Sequence, residues 1–312
     1  MTTPETLRSG PVTGEELELH SMPIRDPKRL AHWLSYALGA VVLVLTFRFV
    51  VLNPHWDWPT IGSWLFSRRV VSGLLNTVLI TVVSTAVGLV LGLVVAAFRL
   101  SRFAVLRGMA AVYVWIIRAT PGLVLILFVY FLAALMPTLS LGLPFADPFF
   151  EVPTNHVISQ FSAAVIGLSA YLGAYSAEIF RGGVLSVHQG QFETCHSLGL
   201  SAWRTYTKVV GPQIIRVITP SLANEVVTMF KNTSLVSVIG YVELLTTVQL
   251  VYSQNFKTIP MLTVAVIWYL VLTSLAMLGQ SRLEKRFGRG FDRRVVKNTV
   301  PVATAEQEGR HD

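Results

Sequence analysis

Apolar residues run in long stretches along this chain, separated by short segments that hold most of the charges. A helix needs about 20 largely apolar residues to cross the hydrocarbon core of a bilayer. Six stretches reach that length: 30–52, 73–98, 104–136, 157–180, 217–240 and 259–281. The third is too long for one straight span, since at about 1.5 Å per residue it would reach roughly 50 Å. Pro121 lies inside it, and proline breaks or kinks a helix interior. The pattern predicts an interfacial or broken piece up to Arg118, then a span from about Thr120 onward. The flank 1–29 is polar, carries four prolines and lacks the apolar core of a signal peptide. It and the charged flank 284–312 are predicted to be disordered tails, and 30–52 to be a retained anchor.

Composition strengthens this picture. Only 13% of residues are charged, against about 25% in a soluble domain. The net charge of +8 would suit nucleic acid, but the basic residues lie between and beyond the apolar stretches rather than on one polar face. With the N-terminus inside, regions 1–29, 99–107, 181–216 and 282–312 hold four, three, four and eight Lys or Arg. The outer loops hold only Arg68, Arg69 and Lys257. That bias is the positive-inside pattern, and it predicts that both termini are cytoplasmic. The single cysteine, Cys195, excludes an intramolecular disulfide framework and a cysteine-based metal cluster. The seven histidines are scattered, with His188 and His196 eight apart, so no metal site is expected. The chain shows neither a phosphate-binding Gly-x-x-x-x-Gly-Lys-Ser/Thr loop nor a Gly-x-Ser-x-Gly elbow, which leaves it without ATPase or serine-nucleophile machinery of its own. No catalytic residue is expected.

Ionisable residues within apolar stretches are costly unless paired or facing a cavity. Lys231, followed by Asn232, Thr233 and Ser234, offers an amine, an amide and two hydroxyls. The group suits a substrate carboxylate, or equally an internal ion pair. Arg118 beside Pro121 and Glu178 near the inner end of the fourth stretch suit a structural pair or a gate more than a substrate site. Glu225 is a further gate or interfacial carboxylate. The second stretch carries Ser84, Gly88, Gly92 and Ala96, a small residue at every fourth position. Such a face lets helices approach closely in lipid, and an internal contact is favoured over a subunit interface.

The segment between the fourth and fifth stretches, 188–212, places Phe192, Cys195, Leu198 and Ala202 at helical spacing, with Gly199 breaking the run. Two short helices meeting at an angle are predicted, either docking a partner or packing on the protein's own rim. Here Glu193-Thr194-Cys195, Gly199 six residues after the glutamate, and Val209-Val-Gly-Pro212 resemble the Glu-Ala-Ala loop of binding-protein-dependent ABC importer permeases. Thr194-Cys195 stand in place of two alanines, and Gly211 in place of a leucine before Pro212. Further matches follow in order: Gly73-Leu-Leu-Asn-Thr-Val-Leu-Ile-Thr81, Arg118-Ala-Thr-Pro121, Ala177-Glu-Ile-Phe-Arg-Gly-Gly183, Lys231-Asn-Thr-Ser-Leu235 and Val242-Glu-Leu-Leu245. Together they resemble the polar amino-acid branch, the histidine, glutamine, glutamate, arginine and opine permeases, over roughly 70–290.

The resemblance implies an all-α membrane protein with the ABC importer permease fold. Its core would span 70–283, with an extra transmembrane helix and outer loop at 30–69 making six spans. The implied partners are a pair of ATPase subunits carrying ATP and Mg, an extracytoplasmic solute-binding protein, a second permease subunit (identical or related), an amino-acid substrate and membrane lipid. This chain would bind no cofactor and no nucleic acid, and would sit in the inner membrane. Glu193, Thr194, Cys195, Gly199 and Pro212 would couple it to the ATPase. The competing reading is an ion-coupled secondary transporter of small polar solutes. It would require paired halves of inverted symmetry, which the sequence does not show.

Overall fold

A computed structural model of the chain describes residues 29–141 and 148–288. The predicted tails 1–29 and 284–312 lie outside the described residues, except for Arg29 and 284–288, which end helices. Two units are distinguished, one up to Asp57 and one from Trp58. The first contains α1 (Arg29–Leu52), followed by a short 3-10 turn at Pro54–Trp56 in which the Asn53 side chain accepts from the His55 N–H. At about 1.5 Å per residue α1 is roughly 36 Å long, enough to span. Leu34, Leu38, Val42, Leu45 and Phe49 are all exposed, as suits a helix apolar on every side.

The second unit is built on α3 (Arg68–Arg99) and α8 (Gln160–Leu185). Ser169 donates to the Ser84 carbonyl at 3.1 Å, and Arg99 reaches Glu178. Residue numbers therefore rise together along both helices, which run parallel. The small-residue face of α3 is internal, as predicted. A Cβ at Gly88 would come within 2.9 Å of Leu172, and one at Gly92 would collide with the Ser176 hydroxyl. Only hydrogen at those positions lets the two axes approach.

Between α2 (Trp58–Leu65) with α3 and the later elements lie α4 (Ala104–Ala119), α5 (Gly122–Tyr130) and α6 (Leu132–Leu135). The axis turns by 107° at Thr120–Pro121. The break falls where the sequence puts it, but the expected continuous span after Thr120 is not formed. At roughly 1.5 Å per residue the nine residues of α5 cover about 14 Å, so only the bent pair is long enough to cross. Next comes an antiparallel hairpin, β1 (Thr138–Leu141) with β2 (Phe150–Pro153), pairing Thr138 with Pro153 and Leu141 with Phe150. It is the one departure from an all-α fold among the described residues. The short α7 (Thr154–Val157) ties it down, its Thr154 N–H donating to the Pro137 carbonyl at 2.9 Å.

After α8 come α9 (Gln189–Ser197), α10 (Ala202–Arg204), a π-helical stretch Thr205–Val210 and α11 (Gly211–Asn232). A 3-10 segment, Thr233–Ile239, continues α11; after a 47° bend the chain enters α12 (Leu244–Asn255) and then α13 (Thr258–Gly288). The fifth stretch is thus longer than 217–240 and has a second limb, α12, that the apolar pattern does not reveal. Four helices alone, or six spans with each bent pair counted as one, are long and apolar enough to cross a membrane.

Glu243 pins the bend. Fully buried, it caps α12 by accepting from the Leu245 and Thr246 N–H groups at 2.9 and 2.8 Å, and it accepts from the Tyr269 hydroxyl at 2.7 Å. Asn76 of α3 donates to the Val242 carbonyl at 2.8 Å, and Thr77 accepts from the Leu244 N–H at 3.0 Å. The Asn-Thr of one sequence motif therefore docks the Val-Glu-Leu of another.

Candidate functional site

Along α8, Tyr171, Tyr175 and Glu178 recur at i, i+4 and i+7 and so share one helix face. The tyrosine rings lie 4.6 Å apart at 32°. Arg118, at the end of α4 just before the break, places its guanidinium 5.0 Å from the centre of the Tyr175 ring, within cation–π range. On α11, Glu225 and Asn232 are seven apart and also share a face. Glu225 is half-buried within electrostatic reach of Arg118 and Tyr171, without a salt bridge to Arg118. Asn232 lines a cavity of about 150 Å³ with Tyr171, Gly122 and Leu235. A second cavity, of about 500 Å³, is walled by Arg99, Trp115, Arg118, Tyr175 and Glu178.

These side chains form a polar lane through an otherwise apolar bundle. Buried aliphatics of α5, α8 and the 3-10 segment (Ile126, Leu168, Val236 and Ile239) pack at the end nearer the hairpin. At the other end Glu178 binds two arginines. Its Oε1 accepts from Arg99 at 3.2 Å, and its Oε2 lies 2.8 Å from an Arg181 terminal nitrogen. The Arg99 contact links α3 to α8. Glu178 and Arg118 thus border the same cavity, but the carboxylate is satisfied by Arg99 and Arg181, and Arg118 rests on Tyr175.

Of Lys231, Asn232, Thr233 and Ser234, only Asn232 enters the lane. Lys231 is exposed and has no ion pair among the described residues. Thr233 is buried with its hydroxyl donated to the Phe230 carbonyl at 2.8 Å, and Ser234 donates back to the Lys231 carbonyl at 2.7 Å. Among the described residues no three His, Cys, Asp or Glu side chains converge to hold a metal.

The 188–212 segment lies at the end of α8 away from the hairpin. His188 caps α9, accepting the Gly190 N–H at 3.1 Å on Nδ1. Gly199 sits at φ +67°, where glycine is strongly favoured. Its N–H bonds the His196 carbonyl and the Leu200 N–H bonds the Cys195 carbonyl, both at 3.0 Å. This double closure is a Schellman stop, and it supplies the predicted bend. Ser201 caps α10, and a Phe192–Tyr206 ring contact at 6.0 Å joins the two limbs. Cys195 is buried, whereas Glu193, Thr194, Leu198 and Trp203 are exposed. Gly211 has a local reason too: a Cβ there would strike the Tyr206 carbonyl oxygen, which the π-helical turn before Pro212 brings close.

Sequence reasoning passed over Tyr171, Tyr175, Arg99, Arg181 and Glu243 as functional or structural anchors. The i, i+4, i+7 recurrence with Glu178 was the available signal for the two tyrosines; for Glu243 it was an acid between two apolar runs, three residues after Gly240.

Residues 88–289 match the family described as binding-protein-dependent transport system inner membrane component. The arginine transport system permease protein of Corynebacterium glutamicum is 36% identical over 303 residues, covering 96% of this chain and 92% of that protein. The glutamine transport system permease protein of Escherichia coli is 35% identical over 178 residues, 57% of this chain and 74% of its own. A chain in the crystal structure of an amino acid ABC transporter with histidines superposes at a TM-score of 0.59 with 30% identity, covering 70% of this chain and 94% of that one. A chain of a methionine ABC transporter in inward-facing conformations shares the fold at a TM-score of 0.55 and 18% identity, covering 70% of this chain and 96% of that one. In such importers an ATPase and a substrate-binding protein work with the permease, and the ATP is hydrolysed on the separate ATPase subunits. The chain belongs to the binding-protein-dependent transport system inner membrane components: it is a multi-pass membrane protein, the translocation component of an ATP-driven importer and not itself an enzyme.

Proposed function

We propose that this permease carries a polar amino acid, and that Arg118 and Glu225 read the two charges common to every free amino acid. The observation that carries this is the lane itself: a guanidinium resting on Tyr175 and a carboxylate within its electrostatic reach do not close a salt bridge. A zwitterion fits between them, its carboxylate toward Arg118 and its ammonium toward Glu225, with Asn232 and the tyrosine hydroxyls as further partners. The arginine and glutamine permeases among the relatives support the substrate class.

Two permease subunits, identical or related, enclose the pathway. Lys231, a charge on an open face of the single chain, completes that pathway where the second subunit meets it. A solute-binding protein delivers substrate from outside. The bent element around Gly199 seats in an ATPase subunit, with Glu193 and Thr194 on its exposed side and Cys195 and Pro212 holding its shape. Paired ATPases holding ATP and Mg close together, and that closure moves the spans. Only the higher affinity of ATP for the closed state can drive such a shift. The distribution of Lys and Arg supports cytoplasmic termini, and the family description supports the inner membrane.

The test is uptake into proteoliposomes containing the permease, ATPase and solute-binding protein, using labelled polar amino acids. Arg118→Gln and Glu225→Gln should each lower apparent affinity about 10- to 100-fold, the range for one charge-assisted contact, with complex assembly intact. Unchanged uptake in both variants would remove the lane from the proposal. Uptake that survives ATP depletion and collapses with an uncoupler would replace the importer with an ion-coupled transporter.

A further inference from the structure

A groove in the second unit lies at the hairpin end, apart from the lane. It encloses about 680 Å³ between the start of α3 and the flank of α12, and its walls include Arg68, Arg69, Ser72, Leu250, Val251 and Gln254. Both arginines are exposed, and neither has an acidic partner or a hydrogen-bond acceptor among the described residues. They occupy the first turn of a 32-residue helix. That is the positive end of its dipole, where cations are disfavoured and anions are held. Two guanidiniums at such a place leave a strong local field with nothing among the described residues to meet it.

Depth identifies the missing anion. At about 1.5 Å per residue α3 is roughly 48 Å long, against a hydrocarbon core of about 30 Å. Its ends therefore reach the headgroup layer on both sides. Trp58, Trp64 and Phe66 lie just before the arginines, and Phe66 packs edge-on against Trp268 at 5.6 Å. Aromatic residues of this kind mark the membrane interface. Beside the cations the groove turns apolar, and Leu250 and Val242 on its wall are exposed.

We propose that this groove holds an anionic phospholipid, with its phosphodiester on Arg68 and Arg69 and the upper part of one acyl chain against Val242, Leu250 and Val251. Ser72 and Gln254 offer the headgroup a hydroxyl and an amide. The lipid lies against the bend that Glu243 pins, since Val242 and Thr247 line the groove and a Cβ at Gly73 would collide with the Thr247 hydroxyl. The bilayer would thereby brace the corner between α3 and α12.

The experiment uses the full chain with its ATPase partner in nanodiscs of phosphatidylcholine containing a graded fraction of phosphatidylglycerol. Bound lipid is counted by native mass spectrometry after release. Wild type should retain phosphatidylglycerol in preference to phosphatidylcholine. Arg68→Gln/Arg69→Gln should weaken that retention roughly 25-fold, about fivefold for each charge, while an Arg102→Gln control leaves it unchanged. Excess inorganic phosphate should not displace the lipid. Equal retention by the double variant, or displacement by phosphate alone, would overturn the proposal. So would unchanged lipid retention with lost capture of the solute-binding protein, because the arginines would then be a protein-docking patch. The lipid count does not depend on transport, so failure here is distinct from failure of the amino-acid reading.

Discussion

Removing the Glu243 carboxylate should destabilise the fold more than any other single side-chain deletion at the α11–α12 bend. The side chain is fully buried, and both its oxygens accept bonds. Two donors, the Leu245 and Thr246 N–H groups, are fixed in the first turn of α12 and have no intrahelical partner. In Glu243→Ala they stay buried and unsatisfied, each at about 1–3 kcal/mol. The Tyr269 and Thr246 hydroxyls rotate and recover part of their loss. The expected total is about 3–5 kcal/mol, the range for stripping one partner from a buried charged network. Glu243→Gln keeps the shape and one acceptor, so it should lose about 1–3 kcal/mol. A double-mutant cycle isolates the tyrosine. Tyr269→Phe alone should cost about 1.5–3 kcal/mol for a bond to a charged acceptor, and close to nothing when Glu243 is already Ala. Reversible unfolding in mixed micelles, followed by tryptophan fluorescence, reads all four corners. If Tyr269→Phe costs the same in both backgrounds, Glu243 is not the hub of this corner.

Gly92→Leu should cost about 1–3 kcal/mol or more by overpacking, since a Cβ there already meets Ser176 and comes within 3.0 Å of the Gly173 carbonyl. Gly108→Leu, with nothing within 4 Å of its Cβ, is the matched control in a thermal melt. Gly199→Leu places a side chain at φ +67° at a cost of about 1–2 kcal/mol; the permease should still melt cooperatively but fail to co-purify with its ATPase. Arg99→Gln and Arg181→Gln each leave Glu178 one guanidinium, whereas the double variant strands it. Their stabilities should therefore be non-additive by about 0.5–3 kcal/mol, toward the low end because both arginines are partly exposed.

What the sequence disclosed, and what it hid, follows from the range of each interaction. Apolar runs are local, so the long helices were legible, as were the break at Pro121 and the stop at Gly199. The α12 limb was not, because Thr246, Thr247, Gln249, Ser253 and Gln254 interrupt its apolar content; what holds it is contact with α13, which follows it, and with α3, where Thr77 lies 167 residues before Leu244. Glu178 was legible as a member of a structural pair or gate, but its partner is Arg99, 79 residues earlier, and not Arg118. Within one chain the Lys231–Ser234 group divides, with only Asn232 in the lane, for a geometric reason. Consecutive helical residues point about 100° apart, so four in a row cannot line one site. Residues spaced by three, four and seven can, and that is how Tyr171, Tyr175 and Glu178 come to share a wall.

The lane lies where two kinds of element meet. On one side α3 and α8 form a continuous pair, seated through Gly88 and Gly92 and bridged by Arg99 and Glu178. Packing this close leaves little freedom to slide, because interiors are bistable rather than continuously deformable. On the other side every contributor is interrupted: Arg118 precedes the 107° break, and Glu225 and Asn232 lie on the helix that passes through 3-10 geometry into a 47° bend. The 188–212 loop joins these halves directly, leaving α8 at one end and entering α11 at the other. A force applied to that loop must therefore act on α11 against a wall that α3 holds fixed. Glu225 would move relative to Tyr175 and Arg118, and the separation of the two charges proposed to read the substrate would change with the loop. Cysteines at 171 and 225 carrying spin labels in a cysteine-free background (Cys195→Ala) would measure the movement of α11 against α8 with and without ATP. A distance that does not respond to ATP would break the link between loop and lane.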